Sequence, residues 1–256
     1  MGFFKMNWLF LALVSMFVQQ SLVTLGKVIP TVLAPAIVSE LRIDPSWLGV
    51  YVGLMAGASL IVQVGCGSVI VRHGALRVSQ VALLLTGLGL VLAMPGFFVI
   101  LALSAAVIGT AAASTPASSH LLGRYSTTKQ APLVFSIKQT AVPVGLLIAG
   151  LLGPLFTELY SWRHALLIIT GACVLVAIVL ELVRKEFDSD RDRGRKFHMS
   201  DFKGTFVLVW QVRELRSLAL GCFAFVGLQA TFVAYFVIYL TEMGYSLTKA
   251  GGIFSS

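Results

Sequence analysis

Seven apolar runs, near residues 8–38, 47–70, 77–94, 97–118, 131–156, 163–182 and 217–241, decide what this chain can fold into. Each is about as long as the ~20 residues a helix needs to cross a bilayer. In hydrocarbon every backbone amide must find an internal partner, so each run is expected to be a helix and the chain an all-α membrane protein. Only 12% of its residues are charged and 57% are hydrophobic, against about a quarter charged in a soluble domain. The first run is too long for a secretory leader and carries Gln19, Gln20 and Lys27 in its interior, so it reads as a retained helix.

A net charge of +8 could suit nucleic acid, but the cations fall between the apolar runs instead of forming a stripe. The expected partner is therefore the lipid bilayer, with no nucleic acid. One side of the membrane receives Lys5, Arg72, Arg77, Arg124, Lys129 and the cations from Arg184 to Arg216; the other receives Arg42, Arg163 and Lys249. The excess puts the N-terminus in the cytoplasm. Lys27 and Lys138 are left inside the membrane. Cys66, Cys173 and Cys222 all lie in apolar runs without metal-ligand spacing and read as small apolar residues. No nucleophile–base constellation or phosphate-cradling loop is present, so neither an enzyme nor a cofactor is expected.

Lys138 lies in PLVFSIKQTAVPVGLLIAGLLGP, residues 132–154. As a helix this stretch lines up Ala141, Gly145, Ala149 and Gly153 in a ridge nearly free of side chains, which lets a neighbouring helix approach closely. Lys138 lies near the same face, so its ammonium either points into a cavity or snorkels to the headgroups from the first two turns. In the first run Gln20, Thr24, Lys27 and Thr31 are spaced by about one turn each and form a polar stripe. That stripe either lines a cavity or bonds to neighbouring helices. In the seventh run Phe225, Gln229, Phe232, Phe236 and Tyr239 share a face suited to an organic molecule, to lipid or to packing. Thr110, Ser114 and Ser118 of the fourth run are packing groups or ligands. Candidate substrate contacts are thus Gln20, Thr24, Lys27, Lys138, Gln139, Gln229, Phe232 and Tyr235.

Gly49, Gly53 and Gly57 repeat every fourth residue in the second run and read, with Gly145 and Gly153, as helix-packing positions. Asp44-Pro45 should start the second helix, and Pro95-Gly96 should turn the third into the fourth. Pro30, Pro35, Pro116 and Pro143 should bend their helices. Residues 184–203 alternate Arg and Asp with little to bury and read as a solvated cytoplasmic linker, His198 included. After it, 204–216 suits an interfacial helix. The domain reading is a six-helix bundle over 1–182, a linker over 183–216, and a seventh helix opening an incomplete second bundle over 217–256.

Six helices, a long charged loop and a further helix resemble the major facilitator superfamily. Gly67, Arg72, Gly74 and Arg77 are similar to that family's cytoplasmic loop signature, with Val71 in place of the usual Asp and Ala75 in place of a basic residue. The run Ser136 to Gly145, the Gly153-Pro154 end and Tyr160-Ser-Trp162-Arg163 resemble a group of largely uncharacterised bacterial carriers within it. Ala105 stands where drug–proton antiporters carry an Arg four residues before a Gly, here Gly109, which weakens a drug-antiporter reading. An offset of 202 residues aligns Ser39-Glu40 with Thr241-Glu242 and Gly49 with Gly251, as two parallel repeats would.

The resemblance implies an MFS-type bundle with two six-helix halves, of which this chain reads as a truncated part ending where an eighth helix should begin. It further implies a transporter in a bacterial inner membrane, monomeric at full length, with alternating access and a proton as candidate coupling ion. Gly67, Arg72, Gly74 and Arg77 would form a gate, and Val71 implies a weaker latch resting on Arg72 and Arg77. An unpaired ammonium in a low-dielectric cavity is relieved by an anion, so a small organic anion is the expected substrate. Export of lipophilic compounds is the alternative, and a seven-helix receptor or sensor is the reading from a different class.

Overall fold

The computed structural model describes residues 2–192, 194 and 207–255, with side chains from Trp8 onward. His198 and residues 204–206 of the expected interfacial segment lie outside these. Among the described residues, seven spans are long and apolar enough to cross a membrane: Trp8–Val32, Trp47–His73, Ala75–Ala93, Phe98–Tyr125, Ala131–Leu159, Trp162–Glu181 and Arg213–Glu242. The helices whose bounds are fully described are α1 (Gly2–Val32), α2 (Ala34–Leu41), α3 (Trp47–His73), α4 (Ala75–Ala93), α5 (Phe98–Thr110), α6 (Ser114–Tyr125), α7 (Ala131–Gln139), α8 (Ala141–Leu159), α9 (Trp162–Glu181), α10 (Arg184–Phe187), α11 (Arg213–Glu242) and α12 (Leu247–Ser255).

Proline accompanies a break in the helical ladder at three places. A Pro cannot donate to the carbonyl four residues earlier, and the ladder breaks there. Pro35 follows the break between α1 and α2, Pro116 follows a 3-10 turn at Ala111–Ala113, and Pro143 follows the break between α7 and α8. Pro30 lies within α1 without ending it. The predicted turns also form. Asp44 accepts from the Ser46 amide (2.8 Å) just before α3, and Gly96, at φ +74°, joins α4 to α5.

α1 is central, packed against α4, α6, α8 and α9. Its contact with α8 runs along the side-chain-free ridge. A Cβ on Gly145 would stand 2.6 Å from the Ser21 carbonyl, and one on Gly153 would stand 2.4 Å from Ile29 Cδ1. Lipid offers apolar side chains no hydrophobic incentive to leave it, so this close fit supplies the association through dispersion. The second-run row behaves differently. Gly49 abuts the Tyr235 hydroxyl, whereas Gly53 and Gly57 are exposed with no heavy atom within 4 Å of a Cβ built on them. Packing at those two positions is therefore corrected, among the described residues, to an open face. α8 instead meets α12, where a Cβ on Gly150 would stand 2.6 Å from the Gly251 carbonyl.

The start of the expected solvated linker is corrected as well. Phe187 is fully buried, with its ring edge-on to Trp8 (5.9 Å between centroids) and Tyr125 (5.5 Å). Asp188 is also buried, and the Asp192 amide donates to the Val71 carbonyl (2.9 Å). Residues 184–192 thus form a strap across the end of the bundle that holds His73, Tyr125 and Glu181, called here the basic end. One aromatic amid charges carries no periodic signal, which is why the alternation of Arg and Asp reads as solvated.

Candidate functional site

Polar side chains inside the spans gather where α1, α6 and α7 meet. Lys138, near the end of α7, is buried, and its ammonium donates to the Thr115 carbonyl (3.1 Å) and the Ser119 hydroxyl (2.7 Å) of α6. The Ser119 hydroxyl donates in turn to the Thr115 carbonyl (3.1 Å). Its proton is thereby committed and its lone pairs are left for the ammonium. An ammonium has three N–H groups, so two are used and one remains. No carboxylate pairs with Lys138 among the described residues. Snorkelling to the headgroups is not what this side chain does.

Thr115 joins the lysine to α1, since its hydroxyl donates to Gln20 Oε1 (3.4 Å). Beside Gln20, Gln19 is fully buried, and among the described residues neither of its amide atoms nor the buried Ser114 hydroxyl has a hydrogen-bond partner. Buried polar groups without partners are costly and uncommon, so these mark places for water or a solute. Gln19 stood out in the sequence only as a polar residue off the main stripe. Its signal is a carboxamide deep in a spanning run.

The other predicted contacts separate into groups. Lys27 is half-buried and has no hydrogen-bond partner among the described residues; it lies almost two turns beyond Gln20, about 10 Å at the helical rise. Thr24 is buried where α8 approaches, its Cβ 2.8 Å from where a Gly145 Cβ would stand. Thr31 turns its hydroxyl to the Val28 carbonyl (2.7 Å). Gln139 and Gln229 are exposed on α7 and α11 and make no hydrogen bond among the described residues. Phe232, also exposed, stacks on Phe236 at 4.4 Å, and Tyr235 lies against Gly49. α11 is exposed from Ser217 to Phe232 and buries Ala234, Val237, Ile238 and Leu240. The polar focus is thus Gln20, Thr115, Ser119 and Lys138.

At the basic end Gly74 has φ +98°, and Asp188 closes over it to accept the amides of Leu76 (2.8 Å) and Arg77 (3.0 Å). These are the free amides of the first turn of α4, so a carboxylate from the strap caps that helix. Burial pushes the Asp188 carboxyl up from its ordinary value, against the opposing pull of the two amides. Arg77 pairs with Glu181 (3.4 Å), which also holds Arg184 (2.6 Å) and Gln80 (3.0 Å). Asp190 pairs with Arg124 (2.5 Å) and His120 (3.0 Å). Gly67 is exposed, and Arg72 makes no ion pair among the described residues.

The opposite end is tied by Glu40, which entered the sequence reading only through the repeat alignment. Its carboxylate accepts from Trp162 Nε1 (2.6 Å) and from Arg163. Arg163 also donates to the Met94 carbonyl (3.0 Å) and lies over the Trp162 ring. The Arg163 hydrogen bond, then the Trp162 one, hold the Glu40 carboxyl below its ordinary value. Nearby, a cavity of about 60 Å³ is lined by Trp47, Tyr51, Leu54 and Phe98. That is far below the ~300 Å³ lower bound of drug-sized pockets.

Comparison with known proteins gives three findings. A family model described as Major Facilitator Superfamily matches residues 9–256. Two crystal structures of a bacterial homologue of the human lysosomal transporter Spinster share the fold. The inward-facing occupied form gives a TM-score of 0.67 at 18% identity, covering 96% of this chain and 57% of that one. The inward-facing unoccupied form gives 0.68 at 19% identity, covering 96% and 58%. The chain thus spans less than two thirds of the length of either. A search of curated proteins finds no match.

Proposed function

The chain belongs to the major facilitator superfamily, and from that premise we propose that it works as a secondary carrier for a small organic anion, by alternating access around a site near the bilayer midplane. The observation that carries the reading is Lys138, a buried cation whose partners are a carbonyl and a hydroxyl, with one N–H left over. Removing an ion from water costs several kcal/mol, roughly, and neutral oxygens return only part of it. A carboxylate arriving beside Lys138 supplies the rest. Gln19 and Gln20 add hydrogen bonds at the same level of α1, and Lys27 a second positive charge about two turns along. Gln139 enters only where α7 turns its exposed face inward, and Gln229, Phe232 and Tyr235 only in a conformation that brings α11 closer to that focus.

The accompanying reading is a multi-pass protein of a bacterial inner membrane with its basic end in the cytoplasm, monomeric, with a proton as candidate coupling ion. Gly67, Arg72, Gly74 and Arg77 belong to its cytoplasmic gate. Residues 1–182 form the first bundle and 217–256 open a second. The connecting segment 183–216 is amended so that 184–192 count with the first bundle. Export of lipophilic compounds is less well supported, because the apolar cavity beside Trp47 and Phe98 is small.

Binding decides between them. Lactate and succinate are titrated into the full-length carrier in proteoliposomes, with Lys27→Gln and Lys138→Gln as variants. Each is expected to abolish carboxylate binding while expression and melting temperature hold. Wild-type binding in both variants would sink the anion reading. Binding lost only in Phe232→Ala or Tyr235→Ala would favour the lipophilic one.

A further inference from the structure

At the basic end a pocket of about 320 Å³ is lined by Arg72, His73, Arg77, Arg184 and Arg191. The proposed gate takes in Arg72 and Arg77 but gives no role to Arg184 and Arg191 or to the space the four enclose. Glu181 answers Arg77 and Arg184 from beneath, so one carboxylate serves two guanidinium groups. The side chains of Arg72 and Arg191 have no hydrogen bond or ion pair among the described residues. Asp188 and Asp192, which face this end, are turned to backbone amides, at Leu76 and Arg77 and at Gly194. Four guanidinium groups therefore converge on one space with a net excess of positive charge. Guanidinium forks match phosphate oxygens in pairs, which makes a phosphate-bearing anion the natural occupant.

The flanks of the pocket say how that phosphate is presented. On α4, Arg77 begins an exposed stripe that continues through Val81, Leu84, Leu88 and Val91. On α9 a second exposed stripe runs through Leu175, Ile178 and Val179 to Leu182, which is 84% exposed, two residues before Arg184. α4 and α9 pack side by side, with Gln80 donating to the Ala177 carbonyl (2.9 Å) between them. Two apolar stripes thus lead along neighbouring helices to one cluster of arginines. A free anion has no use for the stripes, whereas a phospholipid lays acyl chains on them with its phosphate in the pocket.

We propose that this pocket is a binding site for the phosphate headgroup of an anionic phospholipid, held by Arg72, Arg77, Arg184 and Arg191. Bound there, the lipid joins the ends of α3, α4 and α9 to the strap.

The test uses native mass spectrometry of the detergent-extracted protein, titrated with dioleoyl phosphatidylglycerol, dioleoyl phosphatidylcholine or inorganic phosphate. Because the Arg72 and Arg191 side chains make no hydrogen bond or ion pair among the described residues, Arg72→Gln/Arg191→Gln should keep its melting temperature. It is expected to bind phosphatidylglycerol about thirtyfold more weakly, as loss of two near-surface cations implies. Leu182→Gln should also weaken lipid binding. Phosphatidylcholine should bind no better to the wild type than to the double variant. Equal phosphatidylglycerol affinity in wild type and double variant overturns the proposal, as does equal affinity of the wild type for the two lipids. Inorganic phosphate that displaces the lipid completely, with Leu182→Gln silent, overturns the lipid as source in favour of a free anion.

Discussion

The Asp188 side chain occupies the space beside Gly74 where any other residue would place its Cβ, with both its carboxylate and its own Cβ inside contact distance of that point. Gly74 also holds φ +98°, ψ 146°, a region that side chains strongly disfavour. Its hydrogen atom thus lets the strap reach the first amides of α4. Gly74→Ala is expected to cost about 1–3 kcal/mol from backbone strain alone, with the clash added. Asp188→Ala removes the carboxylate part of the clash and leaves only the contact with its own Cβ at 2.5 Å, so the double variant should be more stable than the sum of the singles implies. Melting of the four proteins in detergent checks this, and strict additivity would show that the two residues do not meet.

Phe187 anchors the same strap between Trp8 and Tyr125. Truncating a fully buried Phe to Ala costs about 3–5 kcal/mol. Phe187→Ala should therefore release residues 184–192, read as new protease cleavage near Arg184 and Arg191 in inside-out vesicles. If the cleavage pattern stays unchanged, the strap is held by Asp188 and Asp190 without the ring.

The two glycine rows make opposite predictions. Gly145→Ala pushes a methyl against the Ser21 carbonyl and Thr24, both on a rigid helix, so the α1–α8 contact must part. A loss of about 1–3 kcal/mol is expected, as for overpacking in a dense core. Gly53→Ala and Gly57→Ala meet open space and should leave stability within about 0.5 kcal/mol of wild type. Thermal melting of the three single variants in one detergent ranks them.

These contrasts also mark how far the sequence could be read. The seven spans were legible because hydrocarbon forces every crossing segment into a long apolar run, and Pro35, Pro116 and Pro143 punctuated them by removing amide donors. The polar focus was legible in its members but not in its connections. Gln20, Thr115 and Lys138 come from helices remote in sequence, and nothing in the spacing of one helix tells which rotation faces another. Gln139 and Gln229 were grouped with them by chemistry, yet both are exposed. Gly53 and Gly57 carry the same spacing signal as Gly145, because small residues record permission for close approach and not its partner. Asp188 was hidden for another reason, since a carboxylate in a charged run looks solvated until the helix end it caps is in place.

Glu40 and Arg163 give the last prediction, which concerns pH at the opposite end. The Glu40 carboxyl is held below its ordinary value by its bonds to Arg163 and Trp162, so the folded state binds a proton less readily than the unfolded one. Its contribution is then fully present above the unfolded value of about 4.5 and fades as pH falls through the lower folded value. Acidification below that range should loosen α2 from the start of α9. Trp162 reports the event, because its indole N–H donates to Glu40 in the closed arrangement. Trp162 emission, isolated as the difference between wild type and Trp162→Phe, should shift to longer wavelength as pH drops from 6 to about 3. In Glu40→Gln the shifted emission should be present already at pH 7 and change little with acid. A pH response of Trp162 that survives in Glu40→Gln would assign the titration to another group.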